Sequence, residues 1–199
     1  SLSLSLSLSL SLSLSLSQTN LAGFYITNSE YYSAADSLLG KLAMILEFPW
    51  TYVTYCSFDL DNAKQVNITP TCTIVADNIK MANGINISPD GKLLYVTATL
   101  ERSLLVYSIL EDPAKSQNVS THLSPLERVQ TDTLLDNIDI DLSTGDLYIG
   151  AHPQSLLFMR HASSPLQYTA PSQVQPHLTT HLSSSHLPLL LSFYLILRC

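Results

Sequence analysis

Basic residues are scarce in this chain: nine Lys and Arg stand against sixteen Asp and Glu in 199 residues, for a formal net charge of −7. A phosphate backbone is bound by a basic face, so nucleic acid is excluded as a partner. The acidic balance suits a cation-binding domain or simply a soluble extracellular one. Cysteine is sparser still. Cys56, Cys72 and Cys199 have neither the spacing of a zinc site nor that of a redox pair. We read Cys56 and Cys72 as ordinary buried thiols in preference to a local bridge, which a secreted protein would permit. Neither a Gly-x-Ser-x-Gly elbow nor a Cys with a credible base is present, which leaves water as the attacking group in any hydrolysis. The apolar run "LPLLLSFYL" within Leu187–Leu197 contains Pro188 and spans about 11 residues, against the ~20 needed to cross a bilayer.

Both ends depart from ordinary protein sequence. Ser1–Ser17 alternates Ser and Leu without exception, a pattern that fixes no strand register and that a translated CT repeat would produce. It also lacks the basic start, continuous apolar core and cleavage site of a signal peptide. Between Met159 and Cys199 the only charged residues are Arg160 and Arg198. We therefore divide the chain into a low-complexity segment 1–17, a credible folded part 18–160 and a foreign tail 161–199, both end segments being expected to be disordered.

The middle is rich in short β-branched and aromatic runs bounded by turn residues: "GFYITN", "TYVTYC", "KLLYVTA", "SLLVYSI" and "DLYIGAH". That is a β pattern. Ser37–Glu47, "SLLGKLAMILE", is open to either helix or strand. Two segments, "NGINISPDGKLLYVT" from Asn83 and "DNIDIDLSTGDLYIG" from Asp136, align without a gap at a spacing of 53 and place Tyr95 on Tyr148. "FYITN" supplies a third copy of the closing strand, with Tyr25 70 residues before Tyr95. The excess of 17 is assigned to an insertion in the polar stretch "SFDLDNAKQVNITPTC", Ser57–Cys72. Repeats of this size built from short strands indicate β-propeller blades. The expected fold is all-β, a partial propeller of roughly two to three blades cut from a larger ring.

In the 53-residue alignment Asn83 falls on Asp136, each just before an apolar run. Inner strands of a propeller converge on its axis, so these two, with Asn137 and with Asn28 at the end of "FYITN", would gather four side-chain oxygens, one of them anionic. Such a set resembles part of a calcium shell and suits zinc poorly. A plainer reading stands beside it: Asn83-Gly84 and Asp90-Gly91 are turn dipeptides, and Asp136-Asn137 shapes a loop entry. On spacing alone the plainer reading is the stronger.

"FYITN", "WTYVTY", "IVADNIKMANGINIS", "SPDGKLLYV" and "LLDNIDIDLSTGDLYIGAHP", in this order, resemble the serum paraoxonase/arylesterase family, over about Gly23–Pro153. The resemblance implies a six-bladed β-propeller and a secreted, calcium-dependent hydrolase of aryl esters and lactones. It implies that Asn28, Asn83, Asp136 and Asn137 hold the catalytic calcium, which polarises the ester carbonyl while a histidine dyad activates water. Lipoprotein association is implied in the same way. The chain also departs from the family. The family's calcium-binding glutamate, its histidine dyad and an aspartate for a second calcium have no counterpart here. Ser29 stands where an aspartate usually serves that second ion, and Ala151 where members often carry a free cysteine. The expectation is a site fragment without activity of its own, and the alternative is a non-catalytic propeller module that binds a partner.

Among the histidines, His152 ends "DLYIGAHP" and could approach the cavity, but no partner for it is evident, so a structural role is preferred. His177, His181 and His186 lie in the tail and are not read as a zinc site. Asn67, Asn86 and Asn118 begin glycosylation sequons. The first two are followed by Pro, which leaves Asn118 as the best acceptor.

Overall fold

A computed structural model describes residues 21–30, 38–59, 70–110, 123–164 and 166–177. Ser1–Ser17, the sequons at Asn67 and Asn118, and His181 and His186 lie outside these residues. The described chain is mostly strand. Strands β1 (Leu21–Asn28), β2 (Thr51–Asp59) and β3 (Thr71–Ile79) form a first antiparallel sheet in that order. Strands β4 (Ala82–Ile87), β5 (Leu93–Ala98), β6 (Ser103–Ile109) and β7 (Leu123–Gln130) form a second. In the third, β9 (Leu147–His152) lies between β8 (Leu134–Ile140) and β10 (Gln173–His177). The expected all-β class is met. The strand pattern runs past residue 160, because β10, inside the stretch assigned to the tail, pairs with β9 and buries Gln173.

Among the described residues two helices interrupt the sheets. Ser37–Glu47, left open between helix and strand, contains helix α1 (Leu38–Ile45). Its Leu, Lys, Ala and Met are good helix formers, and β-branching is absent until Ile45. Glu47 ends it with φ of 51°, and Pro49 follows. Helix α2 (Ser155–Ser163) follows β9. Among the described residues no helix is long and apolar enough to cross a membrane.

The sheets stack through alternate faces of their strands. In β5 and β6, Leu94, Val96, Leu105 and Tyr107 join Tyr25, Val53, Tyr55 and Val75 of the first sheet in one apolar cluster. Tyr95, Leu104 and Val106 point the other way and join Leu135, Ile138, Leu147 and Ile149 of the third sheet. The middle sheet is thus buried on both faces at β5 and β6, which is why these two strands read as continuous apolar runs rather than alternating ones, whereas its edge strand β7 is largely exposed. Tyr25 and Tyr95 each pack into the following sheet at 3% and 2% exposure, whereas Tyr148, their counterpart in the last sheet, is 44% exposed. Burial raises the phenol pKa of both Tyr25 and Tyr95.

The 53-residue repeat holds at the level of strand pairing. Ile85 pairs with Val96, Asn86 with Tyr95 and Ile87 with Leu94; Ile138 pairs with Ile149, Asp139 with Tyr148 and Ile140 with Leu147. Both hairpins close alike, with the Ser88 N–H on Leu93 O at 2.9 Å and the Asp141 N–H on Asp146 O at 3.0 Å. Pro89-Asp90-Gly91 makes the first turn as expected, with Gly91 at φ of 72°. The Ser88 hydroxyl and the Lys92 N–H both donate to Asp90 and hold its carboxyl below the ordinary carboxylate value.

The reading of the cysteines is overturned. Cys56 and Cys72 are a disulfide, not two free thiols. They are directly opposite in the β2–β3 register, so the bridge ties that hairpin across its two strands. The hairpin holds no insertion: Val53 pairs with Ala76, 23 residues on, while the equivalent Leu104 pairs with Val129, 25 on. Tyr25 instead pairs with Tyr55, 30 residues on, where Tyr95 pairs with Val106 only 11 on, so the excess expected in Ser57–Cys72 lies between β1 and β2, in the connection that contains α1. By loop-closure entropy a bridge at a separation of 16 constrains the unfolded chain by about 3 kcal/mol. Cys72→Ser is therefore expected to lower the free energy of unfolding in urea by about 3 kcal/mol. A thiol reductant should abolish the difference between the two chains.

Candidate functional site

The Asn83-Gly84 dipeptide does not make a turn. It lies inside β4, where the register shifts between Ala82↔Ala98 and Ile85↔Val96. Two residues, Asn83 and Gly84, therefore stand opposite one, Thr97. This is a β-bulge, a device that re-aims side chains and recurs beside functional sites. The next repeat has it at the same place. Between Leu135↔Ala151 and Ile138↔Ile149, Asp136 and Asn137 stand opposite Gly150. Neither Asn83-Gly84 nor Asp136-Asn137 is a turn or a loop entry, and the turn reading is withdrawn for both.

Neighbouring sheets approach closely at these bulges. A Cβ on Gly84 would lie 2.4 Å from Asp136 O and 2.8 Å from Asn137 Cα, so only glycine admits β8 there. The approach brings two aligned side chains together: Asn83 Nδ2 donates to Asp136 Oδ1 at 2.7 Å. Asn83 is 8% exposed and Asp136 half-buried. Asn28 lies one strand away, in β1, whose Thr27 hydroxyl donates to Asn83 O at 2.6 Å. The Asn28 Oδ1 itself accepts the Glu30 N–H at 3.2 Å. Asn137, the second residue of its bulge, is exposed beside Asp136. The structure thus joins Asn83 and Asp136 directly and sets Asn28 and Asn137 on the adjoining positions.

His152 is the residue that sequence reasoning undervalued. Its Nε2 lies 3.2 Å from Asp136 Oδ2, which supplies the partner that could not be identified from the sequence. The ring stacks on Phe158 of α2, with centroids 4.1 Å apart. Its Nδ1 is buried without a hydrogen-bond partner. The other oxygen of Asp136 faces Asn83, so one carboxylate is held from two sides. Ser29 is buried next to Asn28, and Ala151 packs in the apolar cluster of the third sheet. Asn86 is half-buried in β4, its Nδ2 donating to Ile138 O at 3.4 Å, a bond that a glycan on that nitrogen would displace. Only the backbone of His177 is described, in β10. Among the described residues no three His, Cys, Asp or Glu side chains lie close enough to share a metal ion.

The Arylesterase family model matches residues 12–178. The chain belongs to the arylesterase family. Among its relatives, serum paraoxonase/arylesterase 1 of Homo sapiens is 34% identical over 143 residues, 71% of this chain and 34% of that protein. Serum paraoxonase/arylesterase 2 of Homo sapiens is 35% identical over 145 residues, 72% of this chain and 35% of that protein. The chain thus spans about a third of the length of the arylesterase relatives it matches. The matched segment contains both repeats, their bulges and the described part of β10.

Proposed function

We propose that this chain carries part of the cation site of a calcium-dependent ester and lactone hydrolase, with Asn28, Asn83, Asp136 and Asn137 as ligands. The observation that carries the proposal is the meeting of Asn83 and Asp136 at 2.7 Å from the same bulge position of successive repeats. The donor set fits a hard cation: one carboxylate and three amides, on β1, β4 and β8, without thiolate. A half-turn of the Asn83 amide exchanges Nδ2 for Oδ1 and makes the two heads joint oxygen donors. A single anionic ligand leaves more of a divalent charge available to substrate than several would. When bound, calcium would supply polarisation of the ester carbonyl and a counter-charge for the developing oxyanion. His152, whose Nδ1 is buried, orients the Asp136 carboxylate rather than meeting substrate.

The stacked sheets and the repeat of 53 support a partial six-bladed propeller, with residues 18–160 as its body and the tail lending β10. On this reading the partners are small ester or lactone molecules. The word serum in the relatives' names supports an extracellular protein, and the Cys56–Cys72 bridge agrees with one. Lipoprotein association rests on the family alone. The chain is proposed to lack turnover of its own. A second reading, a non-catalytic propeller module, draws on the mutual bond of Asn83 and Asp136 and on the bond from the Glu30 N–H to Asn28, which show that these side chains also serve the fold.

Calorimetric titration of the full chain with calcium chloride separates the two. We expect saturable binding at or below millimolar calcium. Absence of any binding heat at millimolar calcium would remove the metal claim and leave the module.

A further inference from the structure

The threonines of the repeat form a joint between sheets that the cation site does not by itself require. Aligning Tyr25 with Tyr95 places Thr27 on Thr97. Each hydroxyl crosses to the next sheet and lands on the backbone of the aligned residue there: Thr27 donates to Asn83 O at 2.6 Å and Thr97 to Asp136 O at 2.5 Å. Thr97 does more. It stands opposite the bulge of β4 and accepts the Gly84 N–H at 2.7 Å, so one hydroxyl grips the bulge of its own sheet and that of the next. Both threonines are buried, at 2% and 0% exposure. Water has no ready route to replace either hydroxyl, and its loss leaves a buried carbonyl or N–H without that partner. In the last described sheet the aligned position is Gly150, which has no hydroxyl to offer.

We propose that Thr27 and Thr97 are positioning residues for the cation site, each fixing through the main chain the height and orientation of one ligand, Asn83 or Asp136. The inference rests on the calcium reading above. Thr99 provides a built-in comparison. Its hydroxyl also ties the middle sheet to the third, donating to Leu135 O at 2.6 Å from a site 1% exposed, but it ends on a residue that carries no ligand oxygen.

The test measures calcium dissociation constants by calorimetry, with urea midpoints alongside, for the full chain and its Thr97→Val, Thr27→Val, Thr97→Ser and Thr99→Val variants. Outer-shell partners of metal ligands are commonly worth 10- to 100-fold in affinity, so Thr97→Val and Thr27→Val are each expected to weaken calcium binding by about tenfold. Thr97→Ser keeps the hydroxyl and is expected to restore affinity to within about threefold. Thr99→Val should lower the urea midpoint comparably while leaving affinity nearly unchanged. If the parent chain binds calcium and Thr97→Val and Thr27→Val lose no more affinity than Thr99→Val, the positioning role is overturned and the calcium reading survives. If the parent binds none, the calcium reading fails and this inference falls with it. Should Thr97→Val not fold, Thr27→Val and Thr97→Ser decide the matter.

Discussion

Replacing Gly84 with Ala is expected to destabilise the chain by about 3 kcal/mol and to abolish measurable calcium binding. The added methyl would sit 2.4 Å from Asp136 O, 2.8 Å from Asn137 Cα and 2.8 Å from Ile138 N, all backbone atoms that no rotamer change can move aside. Relief must come from parting β4 and β8. That movement separates Asn83 from Asp136 and pulls the Thr97 hydroxyl away from Gly84 N or from Asp136 O. Gly91→Ala is the control. Gly91 has nothing within 4 Å of a built Cβ, and only its φ of 72° resists a side chain. It is expected to cost about 1 kcal/mol and to leave calcium affinity unchanged. Urea unfolding and calorimetric titration of both variants check the pair, and equal losses would refute the close approach as the cause.

Asp136→Asn carries the second large effect. An amide oxygen can still accept from Asn83 Nδ2, so the folded state should lose no more than about 1 kcal/mol. The single negative charge of the ligand set is gone, however, and calcium affinity is expected to fall about 100-fold, since ligand charge is a main determinant of calcium affinity. Asp and Asn serve turns and local backbone bonds about equally well. A change in calcium affinity without a matching change in stability therefore speaks for a ligand, and an unchanged affinity speaks for the structural module.

The repeat was legible in the sequence because it left its mark on every level. Tyr95 and Tyr148 and the apolar runs align, the two turns fill the same span although Gly91 falls on Thr144, and the paired residues of the two hairpins follow at the same offset. The bulges were not legible. Asn-Gly is the same dipeptide whether it makes a turn or lets one backbone pass another, and only the neighbouring sheet decides which. The disulfide was misread for a related reason: Cys56 and Cys72 are neighbours only across a register that a 16-residue gap conceals. The partnership of His152 with Asp136 could have been found. Counting outward from the Ser143-Thr144-Gly145 turn pairs Ile138 with Ile149 and, continued without the bulge, puts Leu135 opposite His152, which leaves Asp136 beside that histidine's strand. Strand β10 was hidden because the loss of charged residues after Arg160 reads as foreign sequence, although a strand that buries Gln173 against β9 has little use for charge.

The bridged β2–β3 hairpin has a consequence for how such chains change over generations. Asn28 lies opposite Tyr52 at one end of the first sheet, and the register carries β2 away from it to Asp59 opposite Leu21. At ~3.3 Å per residue the β2–β3 loop therefore leaves the sheet roughly 20 Å from the Asn28 end. The Cys56–Cys72 bridge ties the two strands ahead of that loop, so loop residues can be gained, lost or reshuffled without disturbing the strand that holds the site. The bulges offer no such freedom, because one residue more or fewer there would turn the following side chains to the other face. Length is free to vary at the turn of this hairpin, whereas the bulges are where selection would hold the count constant.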